Sequence, residues 1–214
     1  VKQRMPIAFL ALSALGLTFI ATDEGYRDAA YNDGGGVQTL GFGTTTHPDG
    51  SPIKRGDKTN PVRALIDLQG HVNQTEAAMR QCLGAVPLHP HEWDAYVRLS
   101  YNIGSTAFCG STLVKKLHQT PPDYAGACKE ILRWNKDNGR VIPGLTARRE
   151  REYRQCVGES IPPSQPSPIK GEGINSPSPL WGGVGDGVLS RGEGASVTPP
   201  SQPSPVNGEG AKSS

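Results

Sequence analysis

The chain has 214 residues, with 22 Lys and Arg against 20 Asp and Glu, so its net charge is only +2. That length supports one domain with a buried core, and so slight a charge argues against a nucleic-acid binder. Its 27 glycines and 19 prolines crowd towards the C-terminus, so the packed part must be shorter than the whole.

Taken in order, the chain opens with a basic flank, Lys2 and Arg4, followed by an uncharged run from Met5 to Ala21, MPIAFLALSALGLTFIA. At about 17 residues this run sits at the short limit for crossing a bilayer. Ala8, Ala11, Ser13, Ala14, Gly16 and Thr18 dilute its apolar character. Four readings are open: a cleaved signal peptide, a stable transmembrane anchor, a signal-anchor that later leaves the membrane, and a buried core helix. The dilution disfavours the stable anchor and suits a segment whose transfer out of lipid costs little.

The next stretch, Glu24 to Thr44, changes character. A helix-like run ends near Glu24. Gly34, Gly35 and Gly36 make a turn, and the alternation from Val37 to Gly43 predicts a short hairpin. Glu24 is followed nine residues on by Asp33, and six beyond that by Thr39. Two carboxylates facing one groove are what cleavage of a glycosidic bond requires: one protonated to donate to the leaving oxygen, one ionised to position water or meet the developing cation. A carboxyl at a helix end beside an apolar wall has its pKa raised, whereas one in a polar turn stays ionised. Spacing alone favours a blander reading, in which Glu24 ends a helix and Asp33 fills a common Asp-Gly turn.

The residues Glu24, Gly25, Tyr31, Asp33, Gly36, Thr39, Gly41 and Gly43 resemble the signature of the phage lysozymes, or endolysins, of glycoside hydrolase family 24. The resemblance covers roughly residues 5–157. It implies Glu24 as general acid, Asp33 as second carboxylate and Thr39 as a hydroxyl that orients water or substrate. Many members have His where this chain has Thr44. Members with an apolar N-terminal segment are known as signal-arrest-release enzymes. A cut after Ala21 would leave Glu24 near a fraying terminus, so retention is expected, with the released segment refolding as the helix that delivers Glu24.

Beyond the hairpin, Thr45 to Asn60 is polar loop, and His47 and Asp57 read as loop residues. Asn60-Pro61 is a helix start, as N-cap and first helical residue. It opens a long helix that Gly84 stops, with a possible break at Gly70. His89-Pro90-His91 begins another helix, Glu92 to Asn102. Two histidines two apart are not a metal pair. By the resemblance, Asn102 is a candidate sugar contact. A helix runs near Thr112–Leu117. Pro121-Pro122-Asp123 starts another, with Tyr124, Cys128, Ile131, Leu132 and Trp134 on one side. The last helix, 146–156, follows Pro143-Gly144. The resemblance makes Arg148 the candidate to lie near Glu24, with Arg149 and Arg151 on a solvated face.

The four cysteines, Cys82, Cys109, Cys128 and Cys156, are either free thiols or two disulfides, in any of three pairings. From 159 to 214 the chain is Pro/Gly/Ser-rich. PPSQPSPIKGEG at 162–173 returns as PPSQPSPVNGEG at 199–210. Such a segment has too little apolar surface to offset its ordering entropy, and disorder is expected.

These readings combine into an α+β, mainly helical lysozyme-like fold with a small β-hairpin lobe, an N-terminal apolar helix and a disordered C-terminal tail. The expected organisation is a signal-anchor at 1–22, a catalytic domain at 23–158 divided near residue 60, and the tail from 159. The implied reaction is hydrolysis of the β-1,4 bond between N-acetylmuramic acid and N-acetylglucosamine in peptidoglycan. It needs no metal or organic cofactor. A monomer, held at the inner membrane and then periplasmic, without a nucleic-acid partner, is expected. A lytic transglycosylase, or a non-catalytic wall-binding or membrane-perturbing protein, is the alternative.

Overall fold

The structure is a computed structural model that describes residues 3–32 and 36–160. Asp33, Gly34, Gly35 and the predicted tail from 161 onward lie outside the described residues.

The apolar N-terminal run is not one helix. Met5–Pro6 forms strand β1, antiparallel to β4, Pro87–Leu88, and one 3-10 turn follows at Ile7–Phe9. Pro6 has no N–H to give to a helix. Ile7 and Leu10 turn into the core while Phe9 is 76% exposed. The helix α1 starts only at Ala14, where the Ser13 hydroxyl accepts from the Gly16 N–H at 3.0 Å, and ends at Glu24. Gly25, at φ 72°, ends it. Among the described residues, no helix is long and apolar enough to cross a membrane.

The predicted hairpin is present. Strand β2, Arg27–Asn32, pairs antiparallel with β3, Gln38–Gly41, with Tyr31 opposite Thr39. Single bridges, Leu40 to Thr44, Thr46 to Pro52 and Ala29 to Lys58, tie the following loop into the same small lobe. His47 and Asp57 pair with each other there at 3.0 Å.

Helix α2, Pro61–Leu83, begins as predicted. The Asn60 side chain accepts from the Arg63 N–H at 2.9 Å, and Gly84 caps the other end. It runs through Gly70 without a break. Leu68, Val72, Met79 and Leu83 are buried, whereas Val62 and Ile66 are exposed. The hairpin seats on this helix through Gly41. A Cβ at Gly41 would lie 2.9 Å from that of Ala64, and its φ is 64°.

Helix α3, Pro90–Ile103, is the centre of the core, with Trp93, Ala95, Tyr96, Val97 and Leu99 fully buried. Around it lie α4, Ser105–Cys109, α5, Thr112–Leu117, α6, Tyr124–Glu130, and α7, Pro143–Cys156. Helix α7 starts three residues earlier than predicted, with Pro143 at its first position. Between α6 and α7 stands a hairpin the sequence reading missed, β5, Lys136–Asp137, with β6, Arg140–Val141. Its turn is Asn138-Gly139, both at positive φ, the strongest short-range hairpin signal in a sequence. Cys128 and Ile131 are buried and Tyr124 and Trp134 pack on the core, whereas Leu132, expected on the same side, faces solvent.

The cysteines form two disulfides. Cys82–Cys109 ties α2 to α4, and Cys128–Cys156 ties α6 to α7.

Candidate active site

Glu24 is the last residue of α1, and its side chain is 25% exposed. It opens on a polar cleft of about 410 Å³, bounded by Gly43 of the small lobe, by His71, Gln74 and Thr75 on α2, and by Tyr101, Asn102 and Ser105. Gly43 keeps the small-lobe wall low: a Cβ there would stand 3.7 Å from Glu24 Oε2.

Arg148 meets Glu24 as predicted. Its two terminal nitrogens donate to Glu24 Oε1 at 3.3 and 3.4 Å. Burial pushes the Glu24 carboxyl above the usual carboxylate range, Arg148 opposes that shift, and neighbouring Asp23 adds to it. Burial and the nearby Glu24 charge also push Tyr101 up to about 12.

The basic helix does more than sequence reading assigned to it. Arg149 was expected on a solvated face but is fully buried. It pairs with Glu152, also fully buried, at 3.1 Å, and donates to Asn102 Oδ1 at 2.9 Å. Arg151, likewise expected in solvent, pairs with Asp23 at 2.8 Å. Asp23 also receives Arg98 at 3.2 Å and Arg148 at 3.3 Å. Four guanidinium groups thus face three carboxylates, which is why charges of this number can be buried. The sequence reading passed over Asp23, Glu152 and Arg98. The available signal was an acid directly before Glu24 and another inside the arginine-rich helix.

Asn102 stands at the cleft, with its side-chain carbonyl held by Arg149. That bond fixes the amide orientation, so the NH2 group is the end left for a ligand. Thr39 lies on β3, only 4% exposed, and its hydroxyl has no hydrogen-bond partner among the described residues. It is not among the residues bounding the cleft. Asp33 is outside the described residues, so the structure gives no separation between the two carboxylates. No group of three or more metal-ligating side chains gathers among the described residues.

Comparison with known proteins gives one direction. The family model described as phage lysozyme matches residues 21–152. The endolysin of Acyrthosiphon pisum secondary endosymbiont phage 1 is 37% identical over 145 residues, covering 66% of this chain and 94% of that protein. A SAR-endolysin of bacteriophage PS34 is 40% identical over 138 residues, covering 63% of this chain and 76% of that protein. Among solved structures, the endolysin from Escherichia coli O157:H7 phage FAHEc1 superposes with a TM-score of 0.64 at 33% identity, covering 72% of this chain and 98% of that one. The helical lobe, the hairpin lobe and the match over residues 21–152 together place this chain in the phage lysozyme family.

Proposed function

We infer that this phage lysozyme lyses peptidoglycan by hydrolysing the β-1,4 bond between N-acetylmuramic acid and N-acetylglucosamine, with Glu24 as the proton donor. The observation that carries this reading is the setting of Glu24: at a helix end, three-quarters buried, facing a polar cleft, with its pKa raised. A carboxyl of raised pKa is still protonated when it meets the leaving oxygen. Arg148 holds the carboxyl in one orientation and steadies the carboxylate after proton transfer. Asp33 is the second carboxylate, which activates water or meets the cationic centre, and Thr39 orients that water. Asn102 offers its NH2 group to a sugar hydroxyl or acetamido oxygen. Each step is proton transfer and charge stabilisation, so the reaction calls for no cofactor. One chain supplies every residue named, consistent with a monomer, and no nucleic acid is involved.

The test is clearance of a purified cell-wall suspension by wild type and by Glu24→Gln. The variant should lose about 100-fold or more. Lysis by Glu24→Gln at the wild-type rate would instead mean a non-catalytic wall-binding or membrane-perturbing protein. Asp33→Ala separates the remaining alternative. A lytic transglycosylase manages with one carboxylate and leaves anhydro-muramic ends, so an active Asp33→Ala variant with such products would refute hydrolysis.

Residues 1–22 are a signal-anchor that holds the enzyme at the inner membrane and later releases it to the periplasm, ahead of a catalytic domain at 23–158 and a tail from 159. The support is the uncharged run Met5 to Ala21 and the apolar side chains it leaves outside the core: Phe9 is 76% exposed, Leu15 45% and Met5 37%. A bilayer would accept them. Phe9→Ser with Leu15→Ser should leave thermal stability within about 0.5 kcal/mol per site and reduce the membrane-bound fraction. An unchanged membrane fraction would refute the anchor.

A further inference from the structure

The segment before α1 docks on the helical lobe through three carboxylates that are nearly sealed from solvent: Glu92 at 2%, Glu76 at 5% and Asp94 at 6% exposure. Arg4 donates to Glu92 at 2.6 Å and lays its guanidinium over the Tyr124 ring at 3.5 Å. The Leu12 N–H donates to Glu76 at 2.6 Å. The Ser13 N–H donates to Asp94 Oδ1 at 2.9 Å, and the Ser13 hydroxyl donates to Asp94 Oδ2. A buried carboxylate is costly unless its oxygens are satisfied, and residues 4–13 bring part of what satisfies these three.

Asp94 does not stop at Ser13. Gln155 donates to its Oδ2 at 3.5 Å, and Arg98 donates to the other end of the Gln155 amide at 2.7 Å. Arg98 then reaches Asp23 at 3.2 Å, and Asp23 shares Arg148 with Glu24. Asp94 and Arg98 lie one turn apart on α3, while Ser13 and Asp23 lie at the two ends of α1. Arg98 also lies under the middle of α1, 4.5 Å from the Phe19 ring centroid. Gly16 brings the helix close: a Cβ there would be 3.3 Å from Asp94 Cγ.

We propose that Asp94 is a positioning residue for Glu24, because it grips the start of α1 through Ser13 and, by way of Gln155 and Arg98, the end of α1 through Asp23. Docking of residues 4–13 and placement of the proton donor are then one event. This rests on the reading of Glu24 as the proton donor.

The experiment uses the full chain, with soluble peptidoglycan glycan fragments as substrate, at a temperature where circular dichroism shows each variant folded. Asp94→Asn, which preserves shape, should lower kcat about tenfold or more, the penalty for misplacing a catalytic group, with KM within about twofold because the cleft is intact. Asp23→Asn should behave alike, and the double variant should lose no more than the worse single one, since both cut the same chain. Ser13→Ala should lower kcat, and Ser13→Thr should restore it by offering a hydroxyl to the same carboxylate. Folded Asp94→Asn and Ser13→Ala variants at wild-type kcat overturn the proposal, as do losses that multiply in the double variant. If Asp94→Asn does not fold, the Ser13 pair decides alone. A Glu24→Gln variant that cleaves the fragments at the wild-type rate refutes the assignment of Glu24 instead.

Discussion

Glu152→Gln tests whether the buried arginine cluster is held by its charges. Glu152 is fully buried, 3.1 Å from Arg149 and 3.3 Å from Arg148. Gln keeps the volume and one acceptor but removes a charge, leaving Asp23 and Glu24 to balance four arginines. Arg149, also fully buried, keeps Asn102 but loses the carboxylate it pairs with. Breaking a buried pair from one side costs about 3–5 kcal/mol. The retained acceptor, together with the burial that raises the Glu152 pKa against its arginine neighbours and so offsets part of the worth of its charge, puts the expected loss at the low end, about 3 kcal/mol. For a domain of this size that lowers Tm by about 6–12 °C. Calorimetry at neutral pH is the assay, with wall clearance alongside, since Arg148 also loses one of the groups that aim it at Glu24. A Tm within about 2 °C of wild type would mean that the cluster is held by packing, and the electrostatic account of α7 would be wrong.

Four more outcomes follow from other parts of the structure. The Glu24 pKa is raised, so the working protonated form persists above the ordinary carboxylate range and is lost as pH rises through the raised value; the upper limb of the activity profile should sit there, and Arg148→Met should move it higher still by removing the group that opposes the rise. The same sign makes ionised Glu24 a stability cost at neutral pH, so Glu24→Gln should melt higher than wild type at pH 7 and gain nothing at pH 4; an equal gain at both would contradict the shift. Gly41→Ala, at φ 64° and 2.9 Å from Ala64, should cost about 1–3 kcal/mol in thermal denaturation. Replacing Cys128 and Cys156 by Ala opens a loop with a sequence separation of 28 and should cost about 3–4 kcal/mol, read from urea midpoints.

The parts of the fold with local signals were legible. Asn60-Pro61 and Gly84 bound α2 where they stood in the sequence, and Gly25 ended α1 ahead of the hairpin strands. Asn138-Gly139 carried an equally local signal that went unread. The start of α1 misled because an uncharged run reads as one helix; Ser13 was a cap in plain sight, but nothing local says that Ile7 and Leu10 go inward while Phe9 goes out. The site divided the same way. The contact between Glu24 and Arg148 was anticipated from the family signature and the basic helix. Arg149 and Arg151 were misplaced because arginines on a helix usually face water, whereas the Asn102 carbonyl that takes Arg149 and the Asp23 carboxylate that takes Arg151 arrive from distant parts of the chain. Ser13 and Gly16 show what this changes in practice. Leucines there would add apolar length for the bilayer, but they would also remove the cap of α1 and crowd Asp94, so failed lysis by such a variant does not by itself report membrane trapping.

Both disulfides join helices to helices, and none reaches the hairpin side. Heat or denaturant should therefore loosen residues 25–60 first, as a local event. Glu24 would stay behind with the cross-linked half, gripped by α7, while the Gly43 wall swings off it. Such a partly opened molecule has only a short piece of chain to refold, against a template that has kept its shape. The practical result would be an enzyme that falls silent before it is lost, and that recovers after a brief insult.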